Sequence, residues 1–257
     1  MAQLSVVIIT LNEERNIGRC LASVAGIADE VVVVDSGSAD ATAGICEKYG
    51  ARFISHKWMG FAETKNFANS LARFPLILSL DADEALSETL KQSVKEVKNN
   101  TAEAVYSMNR LTNYCGSWIR HCGWYPDRKI RLFHRDKARW TGDLIHEKLT
   151  PETGLPVVQL RGDILHYSYY SVEGHIAQAN RFTGLAALEA HRRGDHPGIL
   201  SLVLKPAIRF IRDYLFKLGI LDGYYGYVIC RISAQATFFK YAKIRQLNKD
   251  SNNQQPA

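Results

Sequence analysis

Leu76-Ile77-Leu78-Ser79-Leu80-Asp81-Ala82-Asp83-Glu84 is an apolar run that stops at three carboxylates. A run made mostly of Leu and Ile predicts a strand buried on both faces, because a half-exposed strand would alternate polar with apolar residues. The acids then fall at the carboxyl end of that strand, where an open parallel sheet borders its ligand crevice. Asp81 and Asp83, one residue apart, repel each other unless a cation or hydrogen-bond donors compensate them. Hard oxygen ligands of this kind suit Mg²⁺ or Mn²⁺ bridging phosphates. The same pattern also serves simply to cap a following helix, here from Ser87 onward.

Upstream, residues 4–10 (LSVVIIT) and 30–34 (EVVVV) read as two more buried strands. Asn12 and Glu13 follow the first and Asp35 ends the second. Ile17, Leu21 and Val24 have helical spacing, residues 52–55 make a short third strand, and residues 61–71 form a helix carrying Lys65 and Asn66 near its start. Strand, acidic turn, helix, strand is the order of an α/β nucleotide-binding sheet. The topology brings Asn12, Glu13, Asp35, Asp81 and Asp83 to one sheet edge, with Lys65 nearby.

Four segments carry a resemblance: the first strand ending in Thr-Leu-Asn-Glu-Glu, VVVVDSGSADAT, GFAETKNFA and the DADE strand. In this order and spacing they resemble the GT-A fold of the inverting family 2 glycosyltransferases, over about the first hundred residues. The later GWYPDRKIRLFHR, GDLIHEKL and ILHYSY resemble the branch that builds the inner core of lipopolysaccharide, where a β-1,4-linked glucose is added to heptose. The resemblance implies a UDP-sugar donor, a lipid-linked saccharide acceptor and Mg²⁺ or Mn²⁺ as cofactor. It implies that Thr10, Asn12, Glu13 and Asp35 hold the base, that Lys65 positions nucleotide or phosphate, that Asp81 lies near ribose and metal, and that Asp83 ligates the metal. Turn or helix capping remains the other reading of Asn12 and Asp35.

Inverting transfer needs a base for the acceptor hydroxyl. By the resemblance Glu147 of the His-Glu pair takes that role, with Asp143 in reserve. His146 either orients the base, touches phosphate or is simply packed. His166, ending the run Ile164-Leu165, is either a further metal ligand with Asp83 or structural. Residues 87–98 read as an amphipathic scaffold helix and 104–108 as a strand. Residues 113–124 read as a loop whose Trp118 and Trp124 either stack on sugar or pack the core. In residues 129–133 (KIRLF) alternation places Ile130 and Leu132 on one face and Lys129, Arg131 and Phe133 on the other. Arg128 and Arg131 are then either phosphate-binding or surface charge.

The 257 residues, 46% of them apolar, suffice for a sizeable core. The expected organisation is a catalytic domain over 1–170, divided at 100 into nucleotide-sugar-binding and acceptor-binding halves, a helical basic extension over 171–247 and a disordered tail over 248–257. Five cysteines, an odd number without a Cys-x-x-Cys pair, predict reduced thiols. No leader peptide is legible at the amino end, which predicts a cytoplasmic chain. Between Arg192 and Asp250 eleven Lys/Arg face four Asp/Glu, so this segment accounts for the net charge of +6. A helix is expected from Ser171, ended by Gly194. A second, basic and amphipathic, runs from Leu200 to Leu218 and is either kinked at Pro206 or begun there. This end suits the inner leaflet of an anionic membrane; packing on the catalytic domain or on a second subunit is the plainer reading. A polyprenyl-phosphate acceptor and a non-catalytic nucleotide- or nucleic-acid-binding module are the rival functions. Nucleic acid is not expected as a partner, since there is no Gly-rich phosphate loop, zinc spacing or RNA-binding aromatic signature.

Overall fold

β1 (Leu4–Thr10) is buried along its whole length. Its side chains divide by alternation: Leu4, Val6 and Ile8 enter one apolar core, and Val7 and Ile9 enter another on the opposite face. The computed structural model describes residues 1–99, 102–142 and 147–253. After β1 come α1 (Ile17–Val24), β2 (Glu30–Asp35), α2 (Thr42–Lys48), β3 (Arg52–Ser55), α3 (Phe61–Ser70), β4 (Leu76–Asp81), β5 (Glu84–Leu86) and α4 (Glu88–Asn99). β6 (Val105–Tyr114), β7 (Ser117–Ile119), β8 (Asp127–His134), β9 (Ala138–Thr141), β10 (Lys148–Pro151) and β11 (Val157–Tyr169) follow. The chain closes with α5 (Val172–Arg192), α6 (Ile199–Ile211) and α7 (Gly223–Asn253).

Among the described residues nine strands form one sheet in the order β3-β2-β1-β4-β8-β6-β11-β5, with β7 added beside β6. β3, β2, β1 and β4 are parallel, whereas β8 runs antiparallel to β4. The order reverses between β1 and β4, which makes their carboxyl ends the switch point where such sheets hold ligands. Register decides which residues meet there: Thr10 stands opposite Asp35, and Ile9 opposite Asp81. α1 covers one face because Ile17, Cys20, Leu21 and Val24, at helical spacing, are all buried. Ser87 caps α4, its Oγ accepting from Leu90 N at 3.2 Å. α3 and the antiparallel pair β9–β10 back the other face, contributing Ala62, Ala68, Trp140 and Leu149 to its core.

Two expectations are corrected here. Residues 113–124 are not simply a loop: β6 continues to Tyr114 and turns into β7 through Cys115 and Gly116, both at positive φ (50° and 91°). Two left-handed residues are what a two-residue hairpin turn demands, but Cys is not the Asn or Asp that usually signals one. Nor does 129–133 alternate. β6 pairs Tyr106 with Leu132 and Ser107 with Ile130, leaving Arg131 as an extra bulged residue. Ile130 therefore packs with Phe133 on one face while Leu132 enters the core on the other.

Contacts divide the chain into two units, Met1–Leu111 with Asp127–Tyr167 and Thr112–Pro126 with Ser168–Ala257. The first holds the parallel strands. In the second, Ser171 caps α5 by accepting from Gly174 N at 3.0 Å, and Tyr114, Trp124, Tyr169 and His175 pack ring on ring. Pro206 lies inside α6, not at its start, and the helix passes into a π turn over Arg212–Phe216.

Candidate active site

Two hollows open in the first unit, and Asp81 lines both. The first, about 490 Å³, is walled by Thr10, Glu13, Asp83 and His166 at or near the strand ends, by Trp58 ahead of α3 and by Phe61 at its first position. Trp58 and Phe61 meet edge to face at 4.7 Å and are each 41% exposed, so an aromatic surface stands open opposite the carboxylates. Asp83 Oδ2 lies 3.1 Å from His166 Nε2. The antiparallel pairing of β5 with β11 sets that distance, since it puts His166 opposite Glu84. Burial raises the Glu13 carboxyl above its ordinary range; a hydrogen bond from Asn16 opposes the shift, and the charges of Asp83, Asp40 and Asp81 reinforce it.

The second hollow, about 510 Å³, lies on the side of Lys65, Arg131, Trp140 and Glu147. Lys65, 2% exposed, reaches Asp81 at 2.9 Å and Glu147 at 3.5 Å and sits 4.4 Å from the Trp140 ring centre. Arg131 Nη2 donates to Asp81 at 2.9 Å and to Glu84 at 2.8 Å. Burial alone would push the Asp81 carboxyl up; Lys65 and Arg131 outweigh it and hold Asp81 well below the usual carboxylate range. Asp81 is thus an anion fixed between two cations. Asn66 supports this wall, since its side-chain amide donates to Trp140 O at 2.9 Å and accepts from Trp140 N at 3.0 Å.

The structure brings Thr10, Glu13, Asp81, Asp83 and His166 together around the first hollow, and Lys65, Arg128, Arg131 and Glu147 around the second. Asp35 spends its carboxylate on its own turn, accepting from Gly37 N, Ser38 N and Ser38 Oγ. Asn12, at positive φ, accepts from Ala39 N through its side-chain oxygen and donates its own backbone N–H to Ser38 Oγ. Trp118 and Trp124 belong to the second unit, where Trp124 packs in the aromatic cluster. Asp143 and His146 lie outside the described residues. Sequence reasoning missed Glu84, Arg110, Trp140 and the Trp58–Phe61 pair. For the last the Trp-Met-Gly-Phe stretch before α3 was a signal; for Glu84 and Arg110 there was none, because their partners are distant in the chain.

Asp83 and His166 have the donor chemistry and spacing for a divalent cation. Two neighbouring ligands of one ion with bonds of about 2.1 Å lie about 3 Å apart. Among the described residues no cluster of three His, Cys, Asp or Glu could close a site alone. A cation held here would take its other ligands from phosphate oxygens and water, as Mg²⁺ commonly does. The residues fit such an ion.

A switch-point crevice edged by carboxylates, flanked by a cationic hollow, belongs to enzymes that handle nucleotide-activated groups, and the helix-flanked mixed sheet is the GT-A fold of glycosyltransferases. The chain belongs to glycosyl transferase family 2, which matches residues 5–154. It is 31% identical over 256 residues to the lipopolysaccharide core biosynthesis glycosyltransferase LpsC of Rhizobium meliloti (strain 1021), covering 95% of this chain and 92% of that one. It is 30% identical over 264 residues to an uncharacterized glycosyltransferase of Rickettsia prowazekii (strain Madrid E), covering 98% and 90%. Among solved structures, S. aureus TarS 1–349 is 16% identical with a TM-score of 0.45, covering 97% of this chain and 92% of that one. Glucosyl-3-phosphoglycerate synthase from Mycobacterium tuberculosis is 25% identical with a TM-score of 0.35; the match covers 44% of each chain, so this chain spans less than half of its length.

Proposed function

We propose that this glycosyltransferase moves glucose from UDP-glucose, with inversion, onto a lipid-linked saccharide, an inner-core heptose of lipopolysaccharide. The observation that carries the division of labour is that Asp83–His166 and Glu147 line separate hollows joined at Asp81. The core-biosynthesis role named for the R. meliloti relative supports the acceptor class. In this reading Thr10 and Glu13 receive the nucleoside, Asn12 and Asp35 act on it by shaping the adjoining turn, and Asp81 stands near the ribose. Asp83 and His166 hold Mg²⁺ or Mn²⁺, which when bound supplies charge neutralisation for the departing diphosphate. The acceptor hydroxyl oxygen bonds to the anomeric carbon as the carbon–oxygen bond to the diphosphate breaks. Its proton passes to Glu147, and UDP leaves. Lys65 keeps Asp81 ionised and Glu147 within reach of the shared wall. Fixed charges of this kind act without reorganising during the reaction.

The test separates binding from transfer. Asp83→Asn should abolish the Mn²⁺-dependent stabilisation by UDP, whereas Glu147→Gln should keep it and lose UDP release from UDP-glucose with acceptor. Equal loss of UDP binding in both variants refutes the assignment, and faster UDP release from another UDP-sugar replaces glucose as the donor.

The second unit supports peripheral attachment to the inner face of an anionic cytoplasmic membrane. No residue of α6 is buried: Ile199, Leu200, Val203, Leu204 and Ile208 are 52–70% exposed. Lys205, Arg209, Arg212 and Lys217 supply the cationic complement. No described helix is long and apolar enough to cross a membrane. Co-flotation with anionic but not zwitterionic vesicles, lost in Leu204→Glu/Ile208→Glu, is the expected result; equal flotation with both refutes the electrostatic component.

A further inference from the structure

The hollow beside Glu147 carries more positive charge than its ion pairs use. Lys65 and Arg131 are engaged with Asp81, Glu84 and Glu147, Arg110 with Glu84 and Asp127, and Lys129 with Asp127 at 3.0 Å. Arg128 and Lys148 also line it, are exposed, and have no ion pair among the described residues. Of the buried side chains that also line it, Arg131 (3% exposed) and Trp140 (5% exposed) hold three nitrogens, Arg131 Nε, Arg131 Nη1 and Trp140 Nε1, with no hydrogen-bond partner among the described residues. Guanidinium and indole N–H groups donate and never accept. Burying a donor without a partner is costly, so three on two side chains that line one hollow call for a group rich in acceptors, and the surplus of cations selects one with negative charge.

We propose that this hollow binds an anionic substituent, a phosphate or a carboxylate, on the saccharide acceptor. The diphosphate of the donor is not its occupant, because the side chains assigned to the donor, Glu13, Asp83 and His166, line the neighbouring hollow and Asp81 lines both. This rests on the reading of Glu147 as the base, which places the acceptor on its side of the wall. Arg131 and Trp140 recognise the anion at depth, and Arg128 and Lys148 attract it at the mouth. Anionic acceptors are thereby preferred over neutral ones of the same shape.

Titration of the full chain with glucose 6-phosphate, glucuronate and glucose at matched ionic strength, with and without saturating UDP and MnCl₂, tests this. Glucose 6-phosphate or glucuronate should bind at least about tenfold more tightly than glucose, with UDP already bound; a stronger phosphate arm assigns phosphate and a stronger uronate arm carboxylate. Arg128→Ala and Lys148→Ala, both exposed positions, should each weaken the anionic sugar about tenfold, the equivalent of one charge-assisted hydrogen bond, and leave UDP affinity within about twofold. Competition between UDP and the anionic sugar overturns the proposal in favour of a diphosphate site. Equal affinity for glucose, or indifference to both substitutions, overturns it as well. If UDP fails to bind while the anionic sugars behave as expected, the anion site stands and the donor reading falls.

Discussion

Replacing Glu84 by glutamine removes one charge from the interior and leaves the shape almost unchanged. Glu84 is 1% exposed. It accepts from Arg131 Nη2 at 2.8 Å and from Asp81 N at 3.0 Å, and lies 3.5 Å from Arg110. Removing one partner of a buried ion pair costs about 3–5 kcal/mol. Arg131 keeps Asp81 and Arg110 keeps Asp127, so the lower end, about 3 kcal/mol, is expected. For a unit of this size that lowers Tm by roughly 6–12 °C. Asp83, two residues after Asp81 in the same acidic cluster, sits under other constraints: its side chain is 23% exposed and meets His166. Asp83→Asn should therefore change stability by under about 1 kcal/mol and remove metal-dependent UDP binding. Glu88→Gln, which loses the pair of an exposed carboxylate with Lys91 at 3.6 Å and one negative charge in the first turn of α4, serves as control, with a change within about 1 kcal/mol. Thermal unfolding by circular dichroism measures all three. A Glu84→Gln melt within about 2 °C of wild type, or an Asp83→Asn melt as low as that of Glu84→Gln, would refute the separation of a structural from a functional carboxylate.

Asn66→Ala removes both hydrogen bonds to the Trp140 backbone and should cost about 1–3 kcal/mol; kinetics should show a raised KM for acceptor with the donor KM little changed. Burial lowers the His175 imidazole to about 4, so the unfolded chain binds a proton between about pH 6.5 and 4 that the folded chain refuses. Its contribution is fully present above pH 6.5 and lost as pH falls toward 4, and the stability gap between wild type and His175→Gln, followed by denaturant titration, should narrow over that window. A Cβ at Gly226 would clash with the Gly219 carbonyl oxygen, so Gly226→Ala must displace backbone and should lower the melting temperature well beyond the effect of Gly174→Ala in the same unit, whose Cβ would meet only the Ser171 Oγ at 3.2 Å.

The parallel half of the sheet was legible because its strands are covered on both faces and therefore read as unbroken apolar runs: Leu4, Val6, Ile8, Ile77, Leu78 and Leu80 are all 0–1% exposed. Their polar ends pointed to Thr10, Asp81 and Asp83 at the crevice. What local pattern could not supply was the charge partnership behind that edge. Glu84 looks like its neighbours in sequence, and only its contact with Arg131, 47 positions away, makes it structural. The aromatic wall was hidden for a similar reason: Trp140 is fixed by Asn66, 74 positions earlier. The alternation rule failed in β8 because it assumes a regular strand, and the extra residue that breaks it leaves no mark in composition.

That extra residue also sets how the chain can change. Deleting Arg131, the bulged position itself, would restore strict pleating with Ile130 and Leu132 still on opposite faces, but would take away the guanidinium shared by Asp81 and Glu84, leaving Asp81 to Lys65 and the buried Glu84 to Arg110 at 3.5 Å. Connections between strands can grow or shrink without touching this arrangement, whereas the length of one short antiparallel segment cannot, and an indel scan should find tolerance in the former and none in the latter.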